Sequence, residues 1–570
     1  MAEIDRHFEF MSEMGVDAPV DIEGWIRLGL LSVVGQTEPR VPSAQLGRLK
    51  ALAHHTFSWN GLPAIPDMLF SPAVACALGN RTCLVEGEAT KADDPAVLFL
   101  IQMLPYWAAK TTDSPVLKGW MQASVGQPRM YTLNRELWNR FVAATHRMST
   151  VRNTRAASFA KSASYMGSKA ALSAQLCEII HEFESPHTVV VDLMCGSGAM
   201  SGAFAKTWPT IASDAQMFSR LLARVQGGGM SSVQAVAIAD SVLESARQKF
   251  ETMPTWLREH AAKEDEFIHK ELTETIFLDI VRWLQAFDLE RNNREVALGF
   301  LSAAGADYSL FTNLYANLFF GVRQAYEIDC LRFGIDNISD PREKEWALGA
   351  LICATSQCAF SYGGHFAQPK LDVARPDNIK KVAVEMLQKR SLSVSHEFYS
   401  RLVSLAEESE NVANEVQLVP GPWQSAIDTI RASTQGRQVC VYLDPPYTRD
   451  EYSRYYHVLE TLVRYESGPI SGKGRIPARG SENRFASPFN SRNSEVVEDH
   501  IASILRTCLK NGWSCLWSYS SSGMASIVNT LAKVDLPLSS VEVFSMDHTY
   551  KAQGKRGAKK VTEYAAYLRV

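Results

Sequence analysis

Residues 439–447 run Val439-Cys440-Val441-Tyr442-Leu443-Asp444-Pro445-Pro446-Tyr447. The apolar part has the composition of a strand, and the Pro-Pro pair ends it, so Asp444 to Tyr447 project from the carboxyl edge of a sheet. That tetrapeptide carries a specific chemistry. An exocyclic aromatic amine is a poor nucleophile because its lone pair is delocalised into the ring, and two nearby acceptors favour the pyramidal form that reacts. The Asp444 carboxylate and the Pro445 carbonyl supply two acceptors, Pro445 and Pro446 stiffen the loop that aims them, and Tyr447 offers a face on which a base can stack. A base inside a duplex cannot reach such a pocket, so it must be flipped out or already single-stranded. The bland alternative is a rigid turn after a buried strand.

Upstream, the stretch from Thr188 to Gly198 is TVVVDLMCGSG, an apolar strand ending at Asp192 and a turn made by Gly196 and Gly198. Glycines at such a turn let a ligand lie against backbone, and Asp214, 22 residues after Asp192 and again at a strand end, is placed to accept hydrogen bonds from ribose hydroxyls. No third glycine follows at phosphate-cradling spacing, which favours a nucleoside without phosphates. The run from Ser164 to about Val225 is a βαβ unit. Residues 227–409 carry long amphipathic helical patterns broken at Pro254, Pro341 and Pro369, and the β pattern resumes in NEVQLV, VCVYLDPPY, SCLWSYS, SSVEVFSM and VTEYAAYLRV. A helical insertion therefore splits the sheet.

The chain has 570 residues, 46% hydrophobic and 21% charged, enough for two to four packed units. No apolar run approaches the roughly 18 residues of a membrane span, and the start MAEIDRHFEF lacks the pattern of an export signal. A cytoplasmic, nucleoid-associated protein is expected. The ten cysteines form no CxxC pair, which argues against a zinc ribbon and a disulfide framework, and no metal site is expected. The formal charge of -4 does not suggest a polyanionic partner, but local runs do. From Arg140 to Cys177 there is no acid, while Arg147, Arg152, Arg155, Lys161 and Lys169 are basic; the loop KAQGKRGAKK adds Lys551, Lys555, Arg556, Lys559 and Lys560. Either run could reach phosphates, and either is equally well a solvated face.

Taken in order, these elements resemble the S-adenosylmethionine-dependent DNA adenine (N6) methyltransferases with a DPPY motif and Dam-like motif order. Tyr165-Met166-Gly167-Ser168-Lys169 is similar to the family's opening Y-x-G-S-K element, DLMCGSG to its glycine motif, Asp214 to its ribose acid and Asp444-Pro445-Pro446-Tyr447 to its catalytic loop. TRDEYSRYYHVLETLVRY, LWSYSSSGM and VTEYAAYLRV resemble later family segments, so the likeness covers most of residues 164–570. Gly421-Pro422-Trp423 stands where many relatives carry an acid. The resemblance implies a class I methyltransferase fold, Rossmann-like with a mostly parallel seven-stranded sheet. It implies S-adenosyl-L-methionine as cofactor, held by Tyr165, Gly167, Lys169, Asp192, Gly196, Gly198 and Asp214. Catalysis falls to Asp444, Pro445, Pro446 and Tyr447. Tyr452, Tyr456 and His457 are weaker candidates for lining the target pocket, as are Lys555 and Arg556 for DNA contact; His365 is more readily a structural histidine.

The expected organisation is a cofactor half at 151–226, a helical insertion at 227–409 that serves target recognition, and a catalytic half at 410–570. Residues 1–58 resemble the start of a MerR-type winged helix, and 59–150 have no assigned role. The implied activity is that of a site-specific DNA adenine methyltransferase in restriction-modification or phage defence, acting on duplex DNA with a flipped adenine and accompanied by restriction or defence subunits. Methylation at the cytosine 5-position is set aside because no Pro-Cys dipeptide exists. Cytosine-N4 or RNA adenine methylation, a cofactor-sensing DNA-binding regulator, and a non-catalytic modification subunit remain as alternatives.

Overall fold

The structure, a computed structural model, describes residues 82–85 and 88–91 and, from residue 165 onward, all but 299–306, 448, 473, 482–483, 521–522, 535, 537–539 and 551–558. The winged-helix expectation at 1–58, the basic run before Tyr165, and Lys555 and Arg556 lie outside the described residues. Within 59–150, Thr82–Val85 pairs antiparallel with Glu88–Lys91. Among the described residues two compact bodies are distinguished, one falling within 165–444 and 450–487, the other within 82–91, 445–449 and 488–570.

The first body is built on four parallel strands: β1 (Val189–Asp192), β2 (Thr210–Asp214), β3 (Val416–Pro420) and β4 (Val439–Leu443), in the spatial order β4-β1-β2-β3. Every residue of β1 and β4 is buried, which explains why their sequences are continuous apolar runs rather than alternating ones. The register sets Asp192 beside Tyr442 on one side and Ala212 on the other, so the carboxyl ends of β1, β2 and β4 share one edge. The turn after β1 leads into helix Ala199–Ala205, and Met217–Arg224 follows β2.

Between β2 and β3 the chain forms a predominantly helical block, from Ser232–Glu251 to Val394–Ser409. Its helix starts are written in the sequence. Ser231 and Gln234 form a capping box, Asp340 accepts from the Arg342 and Glu343 amides ahead of a helix that opens on Pro341, and Pro254 precedes helix Thr255–Ile268. A short hairpin, Ser361–Tyr362 with His365–Pro369, is the block's β element, and Pro369 ends it. Inside the block the Arg390 guanidinium meets Glu264 at 2.9 Å with side chains 2% and 1% exposed. It also donates to Asn317 Oδ1, while Glu264 accepts from the Val322 and Arg323 amides at the start of helix Val322–Asp336. Those bonds offset much of the cost of enclosing an ion pair, while Arg390 Nε is buried without a hydrogen-bond partner.

The second body contains β5 (Ser514–Ser520), β6 (Val541–Tyr550) and β7 (Lys559–Leu568), antiparallel in the order β6-β7-β5, with helices Ser494–Lys510 and Ile527–Val534. Both β6 and β7 extend further toward their connection than the apolar pattern indicated, so that Tyr550 pairs with Lys559. With four parallel strands in one body and three antiparallel ones in the other, the described residues hold the seven main strands of an α/β protein. No helix among them is long and apolar enough to cross a membrane.

Candidate active site

In the first body the turn after β1 needs its glycines for two different reasons. Gly196 and Gly198 have φ of +49° and +75°, a backbone region that disfavours side chains. A Cβ on Gly198 would stand 2.6 Å from the backbone of Ala223, so this glycine admits the end of helix Met217–Arg224. A Cβ on Gly196 would instead meet the Tyr165 ring at 3.0 Å. The Tyr165–Lys169 segment thus lies over the glycine turn, and Ser197 Oγ donates to Ser168 Oγ at 3.1 Å. Gln226 Nε2 closes the turn from below by donating to the Ser197 carbonyl.

Three acids converge around it. Asp214 accepts from the Gly196 amide at 3.1 Å and the Gln216 amide at 2.8 Å, so besides the expected ribose role it anchors the turn itself. Asp192 accepts from Ser201 Oγ at 2.6 Å, while its Oδ1 is buried without a hydrogen-bond partner. Burial, reinforced by Asp444 and Asp214, pushes the Asp192 carboxyl up to about 7; burial pushes Asp214 up to about 6 against its amide donors. Asp444, at the end of β4, is reached by Lys169, whose Nζ lies 3.0 Å from Oδ1. Three matching elements of the sequence reading, the Tyr165–Lys169 segment, the glycine turn and Asp444, are therefore physically joined.

The orphaned Asp192 oxygen fits a cofactor that brings its own donor, such as an ammonium group, and the Asp214 oxygens retain lone pairs for hydroxyls. Those residues suit a nucleoside amino acid.

Of the residues expected to line a target pocket, Tyr452 is half-buried and Tyr456 and His457 are enclosed. Tyr456 is 1% exposed; its ring stacks on Tyr165 at 4.8 Å and 8°, and its hydroxyl accepts the Met166 amide proton at 2.7 Å. Tyr452 packs on the same ring at 5.6 Å. Both support the segment that carries Lys169. His457 is also 1% exposed, its ring nitrogens 3.0 and 3.1 Å from the Arg454 and Gly474 carbonyls, and burial holds it down to about 4. Burial disfavours the charged ring, and a neutral ring can donate to only one of the two carbonyls, that of Arg454 in helix Tyr452–Tyr455 or that of Gly474. His365 is buried too, edge-on to Tyr455 at 4.8 Å.

In the second body Tyr447 is fixed at three points. Its hydroxyl donates to Glu563, its carbonyl accepts from the Met524 amide at 3.1 Å, and its ring meets Tyr519 edge-on at 4.9 Å.

A modification methylase, LlaI, of Lactococcus lactis subsp. lactis is 22% identical to this chain over 315 residues, 54% of this chain and 39% of the methylase. The chain spans well under half the length of that curated relative. No protein-family model matches the chain, and no solved structure does.

Sequence reasoning missed several residues that shape these groups. Glu563 sits in the apolar strand VTEYAAYLRV, where a lone acid in a buried run was the available signal. Ser201, which holds Asp192, lies one helical turn past the glycines. Glu460 accepts the Phe218 amide at the start of helix Met217–Arg224, from 242 residues away in the chain, and no local pattern could reveal that.

Proposed function

We propose that this chain transfers a methyl group from S-adenosylmethionine to the exocyclic amino group of adenine in DNA, as the methylating enzyme of a modification system. The observation that supports this most is the Lys169–Asp444 contact at 3.0 Å, which ties the acid of the Asp444-Pro445-Pro446-Tyr447 motif to the segment lying on the glycine turn. When bound, the cofactor supplies an electrophilic methyl group on a sulfonium. Asp192 would accept from its ammonium and Asp214 from its ribose hydroxyls, beside the glycine turn that the Tyr165 ring covers.

Lys169 anchors one oxygen of Asp444, whose side chain remains 18% exposed and so is accessible to a substrate. The carboxylate and the adjoining Pro445 carbonyl accept the two amino hydrogens and favour a pyramidal nitrogen with its lone pair directed at the methyl group. Tyr447 stacks on the extruded base. Adenine is preferred over cytosine because the motif begins with Asp, as in the adenine enzymes it resembles. DNA is preferred over RNA on the same resemblance and on the likeness to a modification methylase.

Expression in a host lacking adenine methylation, followed by base-resolved sequencing of its genomic DNA, tests the reading. N6-methyladenine at a defined motif is expected. Marks on cytosine alone, or only on RNA, would overturn the assignment.

A further inference from the structure

We propose that Glu563 is a positioning residue that holds the Tyr447 ring rigid for stacking on the target base; this rests on the functional reading above. Glu563 lies in β7 opposite Ser520 and Met546 and is fully enclosed. An acid there is costly, since an apolar residue of similar size would fill a buried strand position with less desolvation. The carboxylate is engaged by hydroxyls: Oε1 accepts from Tyr447 and, at 3.2 Å, from Ser518 Oγ. The first is a charge-assisted bond from the end of a side chain whose other contacts already restrict it.

The neighbours of Tyr447 are themselves fixed. Tyr519, edge-on to the ring, accepts the Ala525 amide proton at 3.0 Å. The chain can pass over Tyr519 only because residue 523 is glycine, where a Cβ would fall 2.2 Å from the ring. The Met524 amide, next along, binds the Tyr447 carbonyl. Tyr447 is thus held by its hydroxyl, its ring edge and its backbone, and its hydroxyl is committed to Glu563. What it presents to a substrate is an aromatic face with little torsional freedom. A preorganised face loses less entropy on stacking than a mobile one, so the tether should appear in the capture of the extruded base.

The test uses the full-length protein, a duplex bearing the motif found by sequencing, and the same duplex with 2-aminopurine at the target. Glu563→Gln keeps the shape and an acceptor but not the charge; Tyr447→Phe keeps the ring but not the hydroxyl. Each is expected to lower kcat/KM by about tenfold, the scale of losing a charged hydrogen bond. The double variant should be no worse than the poorer single one, because both act on the same bond. Emission from 2-aminopurine in the complex should rise in all three as stacking loosens. Unchanged emission and kcat/KM in folded variants, or losses that multiply, would overturn the tether. A wild-type enzyme that methylates no DNA would overturn the functional reading instead, and the stacking role with it.

Discussion

Lys169 and Asp444 stand 275 positions apart in the sequence, yet Nζ and Oδ1 are separated by 3.0 Å, with the lysine side chain 2% exposed and the aspartate 18%. The pair joins segments from either side of the helical insertion: Lys169 precedes β1, and Asp444 follows β4, which lies next to β1. An enclosed ammonium with this partner fixes the carboxylate in place before any substrate arrives.

Replacing that ammonium with an apolar chain of similar length should misplace the acid without emptying the space. Lys169→Met is expected to lower the single-turnover methyl-transfer rate about 10²-fold, the scale seen when one preorganised electrostatic group is removed. Unfolding free energy should fall by about 1.5–3 kcal/mol, measured with urea. An unchanged rate would show that Asp444 needs no anchor.

The two glycines of the turn should respond differently to the same substitution. Gly198→Ala sets a methyl against the Ala223 backbone, which cannot move aside, at a positive φ, so a loss of several kcal/mol is expected, in the range of overpacking plus backbone strain. Gly196→Ala shares the positive φ but meets a side chain, the Tyr165 ring at 3.0 Å, rather than backbone. It should cost less stability and more cofactor affinity, as read by denaturation and by calorimetric titration with S-adenosylmethionine. Equal stability losses would contradict the close approach at Gly198.

Asp192 and Asp214, pushed up to about 7 and about 6 chiefly by burial, predict a pH dependence of definite sign. Between about pH 4, the ordinary carboxylate range, and these raised values, the folded chain holds protons that the unfolded chain releases. Their contribution to stability is therefore full at low pH and declines as pH rises through the window, by up to about 1.4 kcal/mol per pH unit for each proton. Asp192→Asn should flatten part of that decline, so the stability advantage of wild type over variant shrinks from pH 5 to pH 7. A growing advantage in urea titrations would contradict the enclosed acid.

How much of this was legible beforehand depended on the range over which each signal acts. The strand ending at Asp444, the glycine turn and the breaks at Pro254 and Pro341 are local patterns, and they appear where apolar runs and prolines indicated. Pairings between distant segments had no such signature. Tyr456 and His457 share the spacing of a pocket lining and of a packed core, and the sequence does not show that both are enclosed. Asp214 was legible as a strand-end acid, but its hold on the Gly196 amide depends on how the turn folds back. Glu563 was overlooked because an apolar strand hides one acid whose partners lie elsewhere in the chain.

The ion pair inside the helical block offers a test independent of catalysis. Arg390→Met leaves Glu264 enclosed with only amide donors and should cost about 3–5 kcal/mol. Adding Glu264→Gln to it should recover part of the loss, because a neutral amide removes the stranded charge while keeping an acceptor for the helix start. A double variant as unstable as the sum of the single ones would show that the two residues act separately.

The central claim is that Asp444 acts on the amino group of adenine beside a bound methyl donor, and transfer from radiolabelled S-adenosylmethionine by the wild type and Asp444→Ala tests it most directly. With DNA from a host lacking adenine methylation, the wild type should place label in N6-methyladenine, and Asp444→Ala should lose nearly all transfer while still binding the donor. Label incorporated at the wild-type rate by the variant, or found in another base, would contradict the account.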